Sequence, residues 1–397
     1  MSKSLRIGLL GNGSWATALA KMICENTHKL NWWIRSEDMI EHLAQFGHNP
    51  RYIESILLPK EKLNLSMDMQ EVIDNSDVVI IAIPSMYLND VFNEHKPKGL
   101  ENKLVFSAIK GMIPQYNSIP ARYLHKSLNI PYENIGIICG PCHAEEVARE
   151  RLSYLTLACP DTAKAEQFAS YLQTRYIRVN ISDDVFGAEL AAVLKNVYAV
   201  GAGLAHGLGY GDNFISVLIS NAAIEMKRFI DTVHDIDRNI KSSPYLGDLL
   251  VTAYSVNSRN RSLGTMVGNG YTVKSAVIEM KMVAEGMTGA KGINEMNKKY
   301  SKGVAKTLAV IEKNGPKSYE ARIASRAIDR RIEPSSADGR FARIVLGMDI
   351  IQDCDRLHRA ESYWRPFVNW FPLAEPPYGN KGRIITELAL LGVKAPR

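Results

Sequence analysis

The first half of the chain alternates short apolar runs with segments in which apolar residues recur every three or four positions. The apolar runs cover residues 5–10, 30–34, 77–83, 104–109, 135–139, 154–158 and 176–181. Runs without polar alternation are typical of parallel strands that helices cover on both faces, and Ser14–Asn26 has the period of an amphipathic helix. We predict an α/β domain of the Rossmann type, with a mostly parallel sheet and helices on both faces.

From about Phe186 the pattern changes to long helical segments, clearest over 214–229 and 272–284, and strand signals disappear. We therefore predict an all-α second domain. The expected division is 1–185, 186–334 and a C-terminal extension over 335–397 that is rich in tryptophan and proline and has no assigned role. A chain of 397 residues is long enough for two domains of ordinary size.

The net charge of +6 comes from scattered basic residues, without a long basic run. This suits an anionic small molecule and argues against nucleic acid. Five cysteines, an odd and sparse set, indicate a reducing compartment without a disulfide framework, and we expect a cytoplasmic protein. Cys139 and Cys142 form a CxxC pair, which is either a redox pair or, as we favour, a turn at the end of a strand.

No signal peptide is expected, because the first apolar run is short and leads directly into Gly11. The apolar stretch over 188–208 approaches the length of a membrane span. Glu189, Lys195 and Asn196 interrupt it, so we interpret it as a core helix and expect no integral membrane segment.

Gly11-Asn12-Gly13-Ser14-Trp15-Ala16 follows the first strand and opens the first helix, in the G-x-G-x-x-A form of the dinucleotide fingerprint. The alternative is a glycine turn in an unrelated α/β domain. The second strand is followed by Arg35, where an acidic residue would bind the ribose of NAD. An arginine favours NADPH, or the use of both cofactors, unless Arg35 is only a solvated residue at the end of a strand.

Lys195 lies in an apolar, small-residue helix, where a buried lysine is costly. It could be structural and pair with Glu189. Alternatively it is an acid/base group, because a lysine whose pKa burial lowers can take a proton from a hydroxyl as hydride leaves the carbon. Asp248 would then orient it. Two further groups suit an anion, Lys110 after a strand and the cluster Ser258–Arg261, although each alone could be solvated.

These motifs, taken in order, resemble the NAD(P)-dependent glycerol-3-phosphate dehydrogenases of the bacterial type. The matching blocks extend from about residue 5 to 290 and are Gly11–Trp15, Ile109–Gly111, Gly140-Pro141, Glu189–Val197, Gly209–Asn213, Leu246–Leu249, Ser258–Arg261 and Val283–Gly286.

The resemblance implies a role for each block and no metal site. Lys195 would be the acid/base, and Asn196, Asp248 and Thr252 would orient the substrate oxygens. The groups expected to contact glycerol 3-phosphate are Lys110, Gly140, Cys142, Lys195, Asp248, Ser258, Arg259 and Asn260. Those expected to contact NADH or NADPH are Gly11, Asn12, Gly13, Ser14, Trp15, Arg35, Lys110, Ala144, Arg259, Val283 and Glu285.

The chain departs from the family pattern after Gly140-Pro141, where Cys142 and His143 replace a serine and an aromatic residue. Cys142 is a poorer hydrogen-bonding group, and His143 titrates near neutrality. The segment over 230–245 also looks longer than is typical of the family.

The expected reaction passes hydride between a nicotinamide ring and C2 of glycerol 3-phosphate, with the site between the two domains, and supplies a phospholipid precursor. One rival is a related two-domain dehydrogenase of 3-hydroxy acids, and another is a cofactor-binding regulator without turnover. The helical domain could form a homodimer.

Overall fold

The computed structural model describes residues 4–26, 29–280 and 284–296 of the chain. The chain divides into two compact units. Of the described residues, the first unit contains those up to Ala192 together with Lys241–Asp248, and the second contains Val193–Ile240 and those from Leu249 onward. The predicted extension over 335–397 and the predicted cofactor contact Val283 lie outside the described residues.

The first unit is built on one sheet, to which the described residues contribute eight strands in the order β3-β2-β1-β4-β5-β6-β7-β8. Strands β1 to β6 are parallel, β7 is antiparallel to β6, and β8 is parallel to β7. The strands are β1 (Ile7–Leu10), β2 (Leu30–Trp33), β3 (Leu63–Ser66), β4 (Val78–Ile81), β5 (Leu104–Ser107), β6 (Ile135–Cys139), β7 (Ser153–Ala158) and β8 (Ile177–Ser182).

Seven helices connect or cover these strands in the described part of the first unit. They are α1 (Ser14–Asn26), α2 (Glu37–Phe46), α3 (Met69–Asp74), α4 (Ser85–His95), α5 (Pro120–Leu128), α6 (Ala144–Ala148) and α7 (Thr162–Ala169).

Successive residues of the central strands pack into two separate cores. Val78 and Ile80 of β4 join the core that includes residues of α1 and α2, whereas Val79 and Ile81 join the core that includes residues of α3, α4 and α5. Because side chains alternate across a strand, continuous apolar runs are required wherever both faces are covered. The predicted fold class is confirmed.

Strand β3 was missed by the sequence analysis. Its residues Leu63-Asn64-Leu65-Ser66 alternate apolar and polar positions, and none of the four is fully buried. It lies at the edge of the sheet and pairs only with β2. An edge strand needs fewer apolar residues, so a four-residue run of this kind gives little signal.

The described residues of the second unit form helices joined by loops, without a strand among them. Its helices are α8 (Val185–Gly207), which begins in the first unit, α9 (Asp212–Val233), α10 (Asp248–Tyr254), α11 (Arg259–Gly268), α12 (Val273–Met280) and a further segment over 285–296. Among the described helices, α8 alone is long and apolar enough to cross a membrane, but 89% of its most apolar window is buried inside the protein. Such burial is typical of the core helix that the sequence predicted.

Helices α8 and α11 cross with their backbones in contact. A Cβ added at Gly203 of α8 would lie 2.0 Å from the carbonyl oxygen of Arg261, and one added at Gly264 of α11 would lie 2.0 Å from that of Val200. Gly207 and Gly268 meet the facing helix in the same way. Each helix thus carries a small-xxx-small pair, which allows close approach of two helices.

We expect Gly264→Ala to destabilise the protein by about 3 kcal/mol, because the new methyl group would meet backbone that cannot move aside. Thermal unfolding followed by circular dichroism measures the effect. Gly211→Ala is the control, since a Cβ there meets no atom within 4 Å, and it should cost less than about 1 kcal/mol. Equal unfolding temperatures for the two variants would show that the helices can separate without loss.

Candidate active site

The loop between β1 and α1 lies at the point where the order of the strands reverses, since both β2 and β4 are neighbours of β1. Gly11 has φ +113°, and a Cβ there would lie 2.6 Å from the carbonyl oxygen of Ala82. The indole of Trp32 donates to the Gly11 carbonyl at 2.6 Å. Gly11 therefore makes a tight turn that a larger residue would block.

Gly13 differs from Gly11, because a Cβ added there would meet no atom within 4 Å. It directly precedes α1, whose first N–H groups have no acceptor within the helix. This end of a helix binds anions, and a glycine lets a diphosphate approach the backbone closely. The loop over Gly11–Trp15 thus has the features that a dinucleotide cofactor requires.

The structure places four predicted site residues, Trp15, Lys110, Gly140 and Cys142, in the segments that follow the carboxyl ends of strands. Lys110, after β5, has its Nζ 5.1 Å from the centre of the Trp15 ring and 3.5 Å from the carbonyl oxygen of Cys142. Gly140, after β6, has φ +106°, and a Cβ there would lie 2.9 Å from the carbonyl oxygen of Tyr154. Ligands of open α/β sheets bind beyond the carboxyl ends of the strands.

Cys142 is buried, and burial raises the pKa of its thiol to about 12, although nearby Lys110 acts in the opposite direction. It is therefore a neutral thiol at physiological pH. Cys139 is buried too, and its thiol faces the carbonyl oxygen of Thr156. The four cysteines in the described residues carry free thiols. Cys139 ends β6, and the chain bends at Gly140 and Pro141 before Cys142. His143 and Ala144 follow, at the start of α6.

Asp248 belongs to the first unit through the segment Lys241–Asp248, which includes the π-helical turn Ser243–Gly247. The Ser243 hydroxyl lies 3.1 Å from that of Thr156 on β7, and it accepts the Asn180 amide at 3.3 Å. Asp248 itself is 1% exposed.

Tyr245 provides a second anchor for this turn, because its hydroxyl donates to Oδ2 of Asp184 at 2.5 Å. Oδ1 of the same carboxylate accepts the N–H of Gly187, in the first turn of α8. Asp184 thus connects the start of α8 to the turn that presents Asp248. Sequence reasoning missed both residues, although an aspartate just before an apolar helix is a helix-start signal.

In the second unit, Lys195 and Asn196 of α8 and Thr252 of α10 are all buried. Thr252 lies one turn after Asp248 on α10, so the two share a helix face. Lys195 and Glu189 are six residues apart, which places them about 9 Å apart along α8 and on different sides of it. Glu189 instead accepts the N–H of Ala121, at the start of α5, with both oxygens at 3.1 Å.

The predicted phosphate cluster forms the N-terminus of α11. Ser258 is its N-cap and accepts the N–H of Arg261 at 3.3 Å. Arg259 is the first helical residue and is half-buried. Asn260 accepts the N–H of Gly286 at 2.8 Å, next to Glu285, so it also holds the segment over 285–296.

Arg35 follows β2 and has a 63% exposed side chain. Its guanidinium lies 3.1 Å from the carboxylate of Glu94, which is itself exposed. Exposed ion pairs contribute little free energy, so this pair leaves the guanidinium available to an anionic ligand. Among the described residues, no three histidine, cysteine, aspartate or glutamate side chains converge to hold a metal ion.

Two family models match the chain in succession. The N-terminal model of NAD-dependent glycerol-3-phosphate dehydrogenase covers residues 6–165, and the C-terminal model covers residues 184–313. The chain belongs to this family. It is an NAD(P)-dependent oxidoreductase that interconverts sn-glycerol 3-phosphate and dihydroxyacetone phosphate. The predicted family, reaction and cofactor class are confirmed.

Curated relatives agree with this assignment. A glycerol-3-phosphate dehydrogenase [NAD(P)+] of Agathobacter rectalis is 32% identical over 84% of the chain and 99% of its own length. One from Limosilactobacillus reuteri is 35% identical over 74% of the chain and 88% of its own length.

Solved structures share the fold. A glycerol-3-phosphate dehydrogenase from Coxiella burnetii superimposes with a TM-score of 0.68 at 23% identity, over 83% of the chain and 99% of that structure. One from Saccharomyces cerevisiae gives 0.67 at 20% identity, over 86% and 99%.

The burial of Glu189 at its contact with Ala121 predicts how the stability of the protein depends on pH. Burial raises the pKa of Glu189 to about 8, and the Ala121 N–H lowers it only in part. An acid whose pKa is higher in the folded state loses stability as the pH rises from its unfolded value of about 4.5 towards the folded value. Glu189→Gln keeps an acceptor for Ala121 but removes this ionisation.

The wild type should lose stability between pH 5 and pH 8 as Glu189 ionises, and Glu189→Gln should not. We therefore expect the unfolding free energy of Glu189→Gln, relative to that of the wild type, to rise by on the order of 3 kcal/mol from pH 5 to pH 8. Denaturant unfolding at the two pH values measures the gain. Glu101→Gln, at an exposed glutamate, is the matched control and should gain nothing. A Glu189→Gln protein that follows the wild type at both pH values would contradict the prediction.

Proposed function

We propose that Lys195 is the acid/base of the reaction. The observation that carries this proposal is a lysine with only 4% of its surface exposed, in a helix whose residues from Gly187 to Ala199 are all buried. Burying an ammonium group is costly, so its position needs a compensating use. The structural role considered from sequence, a pair with Glu189, is not supported, because Glu189 binds the start of α5.

The bound nicotinamide would supply hydride to C2 of dihydroxyacetone phosphate, or accept it in reverse. In the reducing direction Lys195 donates a proton to the carbonyl oxygen as the alcohol forms, and in the oxidising direction it removes the proton from that hydroxyl. Asn196, Asp248 and Thr252 orient the oxygens. All three are buried hydrogen-bonding groups. Asn196 follows Lys195 in sequence, and Asp248 and Thr252 share one face of α10.

The substrate phosphate is assigned to the N-terminus of α11, where Ser258, Arg259 and Asn260 combine a helix dipole with a guanidinium group. Lys110, Gly140 and Cys142 complete the substrate set on the first unit. A protonated Cys142 can donate only a weak hydrogen bond there.

The cofactor diphosphate is assigned to the Gly11–Trp15 loop, and Arg35 to the ribose side, where its guanidinium would bind the 2′-phosphate of NADPH. Lys110, Ala144, Arg259, Glu285 and Val283 are the further cofactor contacts.

The remaining assignments follow the same proposal. Residues 1–185 form the dinucleotide-binding domain, 186–334 the helical substrate domain, and 335–397 a C-terminal extension without an assigned role. The enzyme works in the cytoplasm as a homodimer, and its product supplies phospholipid synthesis. The 3-hydroxy acid rival would need no cluster like that of Ser258–Arg261, and the regulator would need no buried lysine.

We expect Lys195→Ala to lower kcat for dihydroxyacetone phosphate reduction by about 10²–10⁴-fold, because the proton would have to come from solvent. Loss of nicotinamide absorbance measures the rate. Lys164→Ala, at a partly exposed lysine of α7 that pairs with Asp161, is the control and should keep full activity. A Lys195→Ala enzyme with wild-type kcat would contradict the acid/base assignment. A wild type that is inactive on dihydroxyacetone phosphate would contradict the substrate assignment.

Arg35→Ala should raise KM for NADPH about tenfold and leave KM for NADH unchanged, because only NADPH carries the 2′-phosphate. The two constants are measured side by side with saturating substrate. Arg6→Ala is the control. Arg6 lies just before β1, at the amino ends of the parallel strands and away from the cofactor loop, and it pairs with Asp77. An equal change for both cofactors would show that Arg35 does not read this phosphate.

A further inference from the structure

We propose that Asn49 and Thr17 are positioning residues that turn two peptide groups of the Gly11–Trp15 loop towards the cofactor diphosphate. The peptides are those between Asn12 and Gly13 and between Gly13 and Ser14. The proposal rests on the proposed function only in that the cofactor binds at this loop.

Asn49 follows α2 and is fully buried. Its Nδ2 donates to the carbonyl oxygen of Asn12 and to the hydroxyl of Thr17, both at 2.9 Å. Its Oδ1 accepts the N–H groups of Arg51 at 3.0 Å and Tyr52 at 3.1 Å. All four hydrogen-bonding positions of the amide are therefore used.

These partners fix the orientation of the amide. An acceptor, the Asn12 carbonyl, faces one end, and two donors, the Arg51 and Tyr52 N–H groups, face the other. Turning the amide round would set oxygen against oxygen at one end and nitrogen against N–H at the other. The turn over Asn49–Tyr52 thus holds the amide ready to bind the loop.

Thr17, in the second turn of α1, extends the contact to the next peptide. Its hydroxyl is buried, accepts Asn49 and lies 3.1 Å from the carbonyl oxygen of Gly13, to which it donates. Because Asn49 can only donate at Nδ2, the Thr17 proton is left for Gly13. Asn49 and Thr17 together therefore hold the carbonyl oxygens of two consecutive residues, Asn12 and Gly13.

The consequence follows from the planarity of the peptide. In a trans peptide the C=O and the N–H point in opposite directions. When the Asn12 and Gly13 carbonyls are drawn towards Asn49 and Thr17, the N–H groups of Gly13 and Ser14 must point the other way. Space for a ligand exists at this loop, because a Cβ added at Gly13 would meet no atom within 4 Å. A diphosphate at the start of α1 would meet both N–H groups already aligned.

The test measures the Kd of NADH and of NADPH by fluorescence titration on full-length protein. Asn49→Asp keeps the shape but sets a carboxylate oxygen against the Asn12 carbonyl. Thr17→Val replaces the hydroxyl by a methyl group but keeps the Thr17 N–H, which also donates to the Gly13 carbonyl at 2.9 Å, and Thr17→Ser restores the hydroxyl. We expect Kd to rise about tenfold or more for Asn49→Asp and about threefold or more for Thr17→Val, and to return towards wild type for Thr17→Ser.

Two features separate positioning from a general loss of stability. The ratio of the NADPH and NADH constants should stay unchanged, since the diphosphate is common to both cofactors. Asn26→Asp is the matched control at the other end of α1, where the amide donates to the carbonyls of Met22, Tyr171 and Gln173. It should lower the unfolding temperature without changing either Kd.

The proposal is overturned if a wild type that binds both cofactors has the same Kd as folded Asn49→Asp or Thr17→Val protein. If Asn49→Asp does not fold, the Thr17→Val and Thr17→Ser pair decides in the same way. A wild type that binds neither cofactor would overturn the cofactor assignment itself, and this proposal with it.

Discussion

The burial of α8 is the constraint on which the rest of the structure depends. Every residue from Gly187 to Ala199 is buried, so any polar group in that stretch must find a partner or a use. Glu189 finds one at the start of α5. Further along, Gly203 and Gly207 allow α11 to approach until backbones touch, and α11 begins with the proposed phosphate cluster. The helix that carries Lys195 is therefore also the element that positions its neighbours, and a small shift of α8 would displace several site residues together.

The two units present their functional groups by different means. In the first unit, the site lies at the carboxyl ends of the parallel strands. The groups there are largely backbone N–H and C=O groups, which glycines expose and buried side chains orient. In the second, the groups are side chains on helices, held in place by close packing. Backbone groups suit a cofactor whose diphosphate is always the same, whereas side chains suit the one small substrate that must be distinguished from others.

Sequence reasoning succeeded where local pattern and burial coincide. Strands β4 and β6 were predicted because both of their faces are covered, which requires a continuous apolar run. The Gly11–Trp15 loop was predicted because its glycines directly follow one strand and open the next helix. It failed where the cause lies far away in the chain. Nothing near Tyr245 indicates that it binds Asp184, 61 residues earlier, and so places the segment over 241–248 on the first unit. Asn49 gave no signal either, because an asparagine before a proline is usually a surface turn, and only the fold shows its partners.

The ionisable groups on and next to α8 indicate how a buried helix accommodates the lysine that we propose as the acid/base. Burial raises the pKa of Glu189 to about 8, and it raises those of Tyr198 and of Glu225 on α9 well above their ordinary values. Tyr198 and Glu225 share a hydrogen bond of 3.1 Å that needs no charge on either side. Glu189 and Tyr198 are therefore mostly uncharged at neutral pH, and burial shifts Glu225 in the same direction, which lowers the cost of burying ions. A negative charge on any of these three groups would favour the charged form of a lysine buried in the same interior and hinder release of its proton. With these buried groups neutral, Lys195 is the group on α8 whose charge changes during the proposed reaction.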